Sequence, residues 1–363
     1  MQHPTRPLTL ASLARSLATA IALSAVLLPA ASRADKSKHP HPGLHDTRGS
    51  IERSRVVMGT MCTISADGSD SSWTARTVAE GFAEIERLDT LLNSWNENSE
   101  LSRLNHAGAE LRTPCSPELY AVIDSAMSVA HETEGAFDPT TEPLLLAWGV
   151  RGPGRVPNPA DLYEARSRVG WNMVQIEPSL RTVRFRRDGM GIDLGSMAHG
   201  YALDQVAELF RVRRLHRAMV RFGEELVGFS DAESFVIELT DPAARMRPVL
   251  HLVLHRGALS TAAAQPRASG ADPRGVSPIF DPETGRPLES ESSVTVVTRS
   301  ATRASALAAA LLTMGREHAE AFIAGRADVG AVWLESQNGQ LRAWRWNLPS
   351  VSASPGVRID WRP

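Results

Sequence analysis

Residues 191–204 read GIDLGSMAHGYALD and bring together the carboxylate of Asp193, a lone imidazole, His199, and the glycines Gly191, Gly195 and Gly200. The composition marks a junction where a strand gives way to a helix. Small residues at Gly195, Ser196 and Ala198 let a ligand approach the backbone. First-turn N–H groups and the helix dipole then favour an anion such as phosphate. His199 projects from that first turn. The same stretch also fits a tight turn with a solvent-facing histidine, and by itself it does not separate the two.

Two further stretches carry related chemistry. GAFDPTTEPLLLAWG, 135–149, and IFDPETGRPL, 279–288, each place an Asp-Pro turn after an aromatic. Asp138 suits either capping of the next element or contact with a polar ligand edge, and each turn alone is an ordinary chain reversal. ATRASALAAALLTMG, 301–315, reads as a helix with no carboxylate on it. Cys62 and Cys115 lack a His or Cys partner at ligand spacing, so they do not point to metal binding or catalysis. They fit either a disulfide closing a loop of about fifty residues, worth roughly 4 kcal/mol, or two unpaired, partly buried thiols.

The elements that must position these residues follow from periodicity. SRVVMGTMCTISAD alternates like a strand. In the next segment Val78, Phe82, Ile85, Leu88, Leu91 and Leu92 recur at helical spacing. A second helix opens at Ser116-Pro117 and closes at Gly135. Residues 149–160 form a turn-rich loop, and MVQIEP pairs with TVRFRR. After the junction helix come RAMVRFGEELVGFS as strand, turn, strand, then ESFVIELTDP and RPVLHLVLHRGALST as further strands. SSVTVVTRS feeds the helix 301–314. DVGAVWLES and QLRAWRW form a hairpin around Asn338-Gly339. Helices and strands mix without strict alternation, so the fold class is α+β, a single two-lobed domain with mixed or antiparallel sheets and packed helices.

The chain has 363 residues, 42% of them hydrophobic, with 39 Lys and Arg against 41 Asp and Glu. Such a balance, with no dominant basic face, excludes nucleic acid as the expected partner. Residues 1–34 combine Arg6 and Arg15, no acid, a short apolar run and small residues before Asp35. That is the pattern of a secretory signal peptide, too short to span a bilayer comfortably. Residues 35–50 read as a flexible lead-in, 51–348 as the domain and 349–363 as a C-terminal tail. The mature protein is expected to be exported, soluble and free of stable membrane insertion.

Taken in order, MGTMCTIS, ERLDTLLNSWNENSELSRLN, GAFDPTTEPLLLAWG, GIDLGSMAHGYALD, FDPETGRP and SVTVVTRSATRASALAAALLTMG resemble the ApbE-type FAD:protein FMN transferases, from about Met58 to about Gly330. The resemblance implies cleavage of FAD and attachment of FMN, through its phosphate, to a threonine or serine of a target flavoprotein. It implies magnesium and a periplasmic address as well. By the same resemblance Met58 and Trp95 border the flavin, with Trp95 where a tyrosine is usual. Ala136, Phe137 and Asp138 line the isoalloxazine side, and Asp193 through Ala198 lie near the diphosphate and ribitol. Ile279 sits against the flavin, and His199 ends the junction where a lysine or glutamate is usual, able as a cation to face a phosphate.

The departures gather on the metal and phosphate side. The family helix reads Ala-Asp-x-x-x-Thr, two hard oxygen ligands on one face. Here those positions are Ser305 and Ala309. Ser305 is left as the one residue there able to offer the metal an oxygen and, with His199, to take part in catalysis. Pro278 replaces a histidine, Glu224 and Glu225 replace a glycine and an Asn or Asp, and Ala262-Ala263 replace Ser-Gly. SGAD, 269–272, ends in Asp272 where an acceptor motif has a hydroxyl, so self-modification is not expected. The reading is a transferase with impaired activity; the alternative is a catalytically degenerate FAD-binding homologue or assembly partner.

Overall fold

The computed structural model describes residues 50–362 apart from 110, 153, 245, 265–276, 278 and 338. Residues 1–34, expected as a signal peptide, nearly all of the expected lead-in, the SGAD stretch, Pro278 and Asn338 therefore lie outside the described residues. Along the chain, β1 (Ser50–Val57) and β2 (Thr60–Asp67) form a hairpin. There follow α1 (Ser71–Leu92), α2 (Glu100–His106), β3 (Thr113–Pro114), α3 (Pro117–Glu132), α4 (Glu142–Ala147), α5 (Pro159–Arg166), β4 (Val174–Glu177) and β5 (Thr182–Phe185). The second half holds α6 (Gly195–Val212), β6 (Arg217–Phe222), β7 (Glu225–Ser230), β8 (Phe235–Thr240), β9 (Pro248–Leu254) and β10 (Gly257–Ala263). It closes with β11 (Phe280–Asp281), β12 (Arg286–Pro287), β13 (Ser292–Thr298), α7 (Ala301–Met314), α8 (Arg316–Ile323), β14 (Gly330–Gln337), β15 (Gln340–Trp346), β16 (Val351–Ala353) and β17 (Asp360–Trp361).

Nine strands form one sheet in the order β1-β2-β6-β7-β10-β13-β14-β15-β17, antiparallel except where β17 runs parallel to β15. The period-2 alternation of its strands gives the sheet two apolar faces. On β14, Ala331 and Trp333 enter a core shared with α3 and α7, while Val332 and Leu334 enter one shared with β8 and β9. On β7, Val227 faces the core built with α1 and α6, and Leu226 faces the opposite side. The sheet is thus covered by helices on one face and by the small β16-β9-β8 sheet on the other. This α+β arrangement is the fold class expected from the sequence.

One expectation changes and one open alternative is decided. Residues 349–363 are expected as a tail, yet within them Val351–Ala353 pairs with β9 and Asp360–Trp361 with β15. Val351 is buried in the β8–β9 core, so apolar burial holds this segment in place. Of the two cysteine outcomes, the unpaired one holds: Cys62 and Cys115 are separate buried thiols. Desolvation pushes their pKa values up to about 12 and about 11, with Glu100 adding to the rise at Cys115.

Helix α7 is buried over most of its circumference, as an alanine-rich helix inside a core must be. Its packing on α6 is close at Gly200, where a Cβ would lie 2.5 Å from the Ala301 carbonyl and 2.6 Å from Ser305 Oγ. The two helices are also locked by Asp204. Its carboxylate accepts from Ser300 Oγ, the Ala301 and Thr302 backbone N–H groups and Thr302 Oγ1, at 2.7 to 3.0 Å.

Candidate active site

Four groups of side chains surround the start of α6, each fixed by a different element. The first is the turn between α3 and α4. Asp138 is buried, and its Oδ1 accepts from Thr140 N at 2.8 Å and Thr140 Oγ1 at 2.6 Å. Its Oδ2 accepts from Trp171 N at 2.9 Å. Burial raises the pKa of this carboxyl, and the three hydrogen bonds oppose the rise. Asp138 therefore shapes its own turn; three of its four lone-pair positions are filled, and one on Oδ2 remains for a ligand edge. Phe137 is buried beside it, and Ala136 is half-buried.

Asp193 forms the second group and is tied to the first, since its N–H donates to the Pro139 carbonyl at 2.8 Å. Its Oδ2 accepts from Ser94 Oγ at 2.5 Å and its Oδ1 from Gly195 N at 3.0 Å. The chain's own carboxylate thus meets the α6 N-terminus, where sequence suggested a phosphate. Arg151 completes this group. Its Nη2 donates to Glu142 Oε1 at 2.9 Å, lies 3.7 Å from Asp193 Oδ2, and its guanidinium stands 5.8 Å from the Trp95 ring centre. Burial raises the Glu142 pKa, Arg151 opposes this, and Asp193 adds to it. Gly191 is required here, because a Cβ would fall 1.8 Å from Glu142 Oε2. Asn105 holds the neighbouring Ile192 through both its backbone groups, at 2.8 and 2.9 Å.

The third group replaces the expected cationic imidazole by a neutral one. His199 stacks on Phe222 with ring centres 4.8 Å apart and planes 7° apart, and its Nε2 lies 3.3 Å from the Met58 carbonyl. Burial lowers its pKa below the ordinary histidine value, against weaker opposing effects of Met58 and Asp89. Stacking on a phenyl ring also removes it from the solvent-facing position of a surface turn. Met58 itself sits at φ 48° in the β1–β2 hairpin, a left-handed conformation that costs a non-glycine residue about 1–2 kcal/mol. Ala198, one residue before the imidazole, is buried.

The fourth group is the face of α7. Ser305 is buried and its Oγ lies 2.7 Å from Glu225 Oε2 and 2.9 Å from the Ala301 carbonyl. One hydroxyl proton serves only one of two acceptors, so the second contact is filled when Glu225 carries a proton. Burial pushes the Glu225 pKa up to about 7, against the Ser305 hydrogen bond. Ala309 offers no side-chain oxygen, and no group of three or more His, Cys, Asp or Glu among the described residues could hold a metal ion. The magnesium ligands expected on this helix do not fit: Ser305 spends its hydroxyl on neighbours, and one carboxylate remains, on the facing strand.

Ile279 is half-buried against the α3–α7 core, with its N–H donating to Ser277 Oγ at 3.2 Å. A cavity of about 560 Å³ runs nearby between Ala136, Asp281, Pro282, Thr313 and Phe322. Sequence reading named Met58, Trp95, Asp138, Asp193, His199 and Ser305, but missed Ser94, Asn105, Glu142 and Arg151. Those four are polar residues in ordinary helix and loop stretches, and only the fold brings them to Asp193.

Comparison with known proteins places the chain in a family. The sequence model of the ApbE family matches residues 58–333. The FAD:protein FMN transferase of Salmonella typhimurium is 27% identical over 299 residues, covering 79% of this chain and 85% of the relative. That of Treponema pallidum is 26% identical over 308 residues, covering 78% and 83%. Among solved structures, the ApbE protein of Thermotoga maritima superposes with a TM-score of 0.71 at 24% identity over 78% of this chain and 94% of that one. The Vibrio cholerae flavin transferase ApbE gives 0.68 at 24% identity, over 82% and 96%. The match spans well over half of the chain and takes in the Asp138, Asp193 and Ser305 groups: the chain belongs to the ApbE family.

Proposed function

We propose that this protein is an FAD:protein FMN transferase, taking FMN from FAD and attaching it to a threonine or serine of a target flavoprotein. The observation that carries the reading is the tie from Asp193 N to the Pro139 carbonyl, which joins the motif that the resemblance puts at the flavin ring to the one it puts near the ribitol and diphosphate. In the reaction the acceptor oxygen bonds to the phosphorus on the FMN side, the bridging P–O bond breaks and AMP departs. Met58, Trp95, Ala136, Phe137, Asp138 and Ile279 would hold the flavin, with Asp193, Ala198 and His199 nearer the diphosphate.

Magnesium is the part of the family chemistry that this residue set does not support, and no step is assigned to it. The Ser305–Glu225 hydrogen bond favours a second reading, an FAD-binding relative with slow or absent turnover. FAD titration followed by AMP assay separates the two: both readings expect binding, and only the transferase releases AMP in the presence of an acceptor. Absence of FAD binding contradicts both. Export is proposed from residues 1–34; no described helix is long and apolar enough to cross a membrane. A mature N-terminus near Asp35 in the periplasmic fraction is expected, and an intact N-terminus in a membrane pellet contradicts it.

A further inference from the structure

A carbonyl oxygen has no proton to give, so the contact between His199 Nε2 and Met58 O fixes the tautomer: the proton sits on Nε2. The lone pair is then on Nδ1, which makes no hydrogen bond to any described residue. Stacking on Phe222 holds the ring plane, and the neighbouring Gly200 packs α6 directly onto Ser305 of α7. A neutral imidazole with one nitrogen tied and the other open is arranged to receive a proton.

Other bases in the site are engaged. Asp138 spends both oxygens on Thr140 and Trp171, and Asp193 spends both on Ser94 and Gly195. Glu225 is bonded to Ser305, and position 278 is a proline. The groups facing His199 are the Met58 carbonyl from the hairpin, the Phe222 ring from β6 and the more distant Asp89 from α1.

Resting on the transferase reading, we propose that Nδ1 of His199 takes the proton of the acceptor hydroxyl as that oxygen bonds to phosphorus. The hydroxyl O–H bond breaks, the new O–P bond forms, and the electron pair of the broken bridging P–O bond leaves with AMP. The imidazolium then returns its proton to solvent, which restores the neutral ring. Burial supports the role by keeping the ring neutral before the reaction.

The test uses the full mature protein, FAD, and an acceptor domain modified by the Salmonella relative, with that enzyme run in parallel. His199→Gln keeps an N–H for Met58, and His199→Phe keeps the stack on Phe222. Flavin fluorescence reads FAD binding, and single-turnover FMN transfer is followed over about pH 5 to 9. Both variants are expected to keep FAD affinity within about threefold and to lose about a hundredfold to ten-thousandfold in transfer. The wild-type rate is expected to fall on acidification through one inflection below the ordinary imidazole value, absent in the variants. Transfer by His199→Gln at the wild-type rate, loss only in proportion to FAD affinity, or an unchanged inflection overturns the proposal. A wild type that binds FAD and modifies nothing, while the Salmonella enzyme does, overturns the transferase reading and this role with it. Nitrogen NMR of the wild-type ring needs no variant: a neutral Nε2-protonated ring is expected at neutral pH, and an Nδ1-protonated or cationic ring overturns the proposal.

Discussion

Ser305 Oγ on α7 and Glu225 Oε2 on β7 lie 2.7 Å apart, so the helix that lacks its family carboxylate meets one from the facing strand. A short side chain on one element and a long one on the other fill the space between them. The pair carries a stability consequence that depends on pH. The folded pKa of Glu225 is raised from 4.5 to about 7. Its contribution is therefore fully present below the unfolded value and is lost as pH rises through the folded one. Glu225→Gln stays neutral throughout. Its stability relative to wild type should rise between about pH 4.5 and 7.5, by an amount on the order of 3 kcal/mol. Urea unfolding at both ends of that range checks this.

The same pair decides how the family metal site could be rebuilt. Ser305→Asp with Ala309→Thr supplies two hard oxygens on one face of α7. It also sets a new carboxylate against Glu225. Transfer and magnesium dependence should rise little in the double variant and clearly when Glu225→Asn is added. Charge stabilisation of this kind is worth about 10² to 10³ in rate. An FMN-transfer assay over a magnesium series measures the difference.

Asp138 holds its own turn and, on the proposed function, also meets the flavin. Asp138→Ala leaves the buried N–H groups of Thr140 and Trp171 without their acceptor, which costs about 1–3 kcal/mol. FAD affinity should fall about tenfold or more, well beyond the effect of Cys115→Ser. Fluorescence titration and thermal unfolding on the same samples separate the two effects.

Asp204 joins α6 to the N-terminus of α7 through four acceptor contacts. Asp204→Ala should cost about 2 kcal/mol or more, as loss of a shared helix cap does. Asp204→Asn should cost less, because one oxygen still accepts. Thermal unfolding tests the order of the two variants.

Much of the fold was legible because its signals are local. The α1 positions Val78, Phe82, Ile85 and Leu88 are buried as their spacing required, and Ser116 caps α3. The strand pairs β4–β5, β6–β7 and β14–β15 follow from alternation and turns. The short strands β16 and β17 were not legible, since their few residues show no period and depend on partners elsewhere in the chain. Within the site, motif residues were named from order along the chain, but their partners were not. Arg151 and Glu142 meet Asp193 only through the fold. The role of Glu225 could be suspected from its unusual type, yet its contact with Ser305 needs the α7–β7 packing. The burial that lowers the His199 pKa is likewise a product of the fold, which stacks the ring on Phe222, 23 residues later in the chain.

The most direct test of the transferase assignment is the intact mass of an acceptor domain after incubation with the purified mature protein and FAD. The account predicts a mass increase equal to one FMN, lost when the acceptor threonine or serine is replaced by alanine, together with one AMP released for each FMN attached. An acceptor of unchanged mass, with FAD bound but intact and the Salmonella enzyme active in parallel, would contradict it.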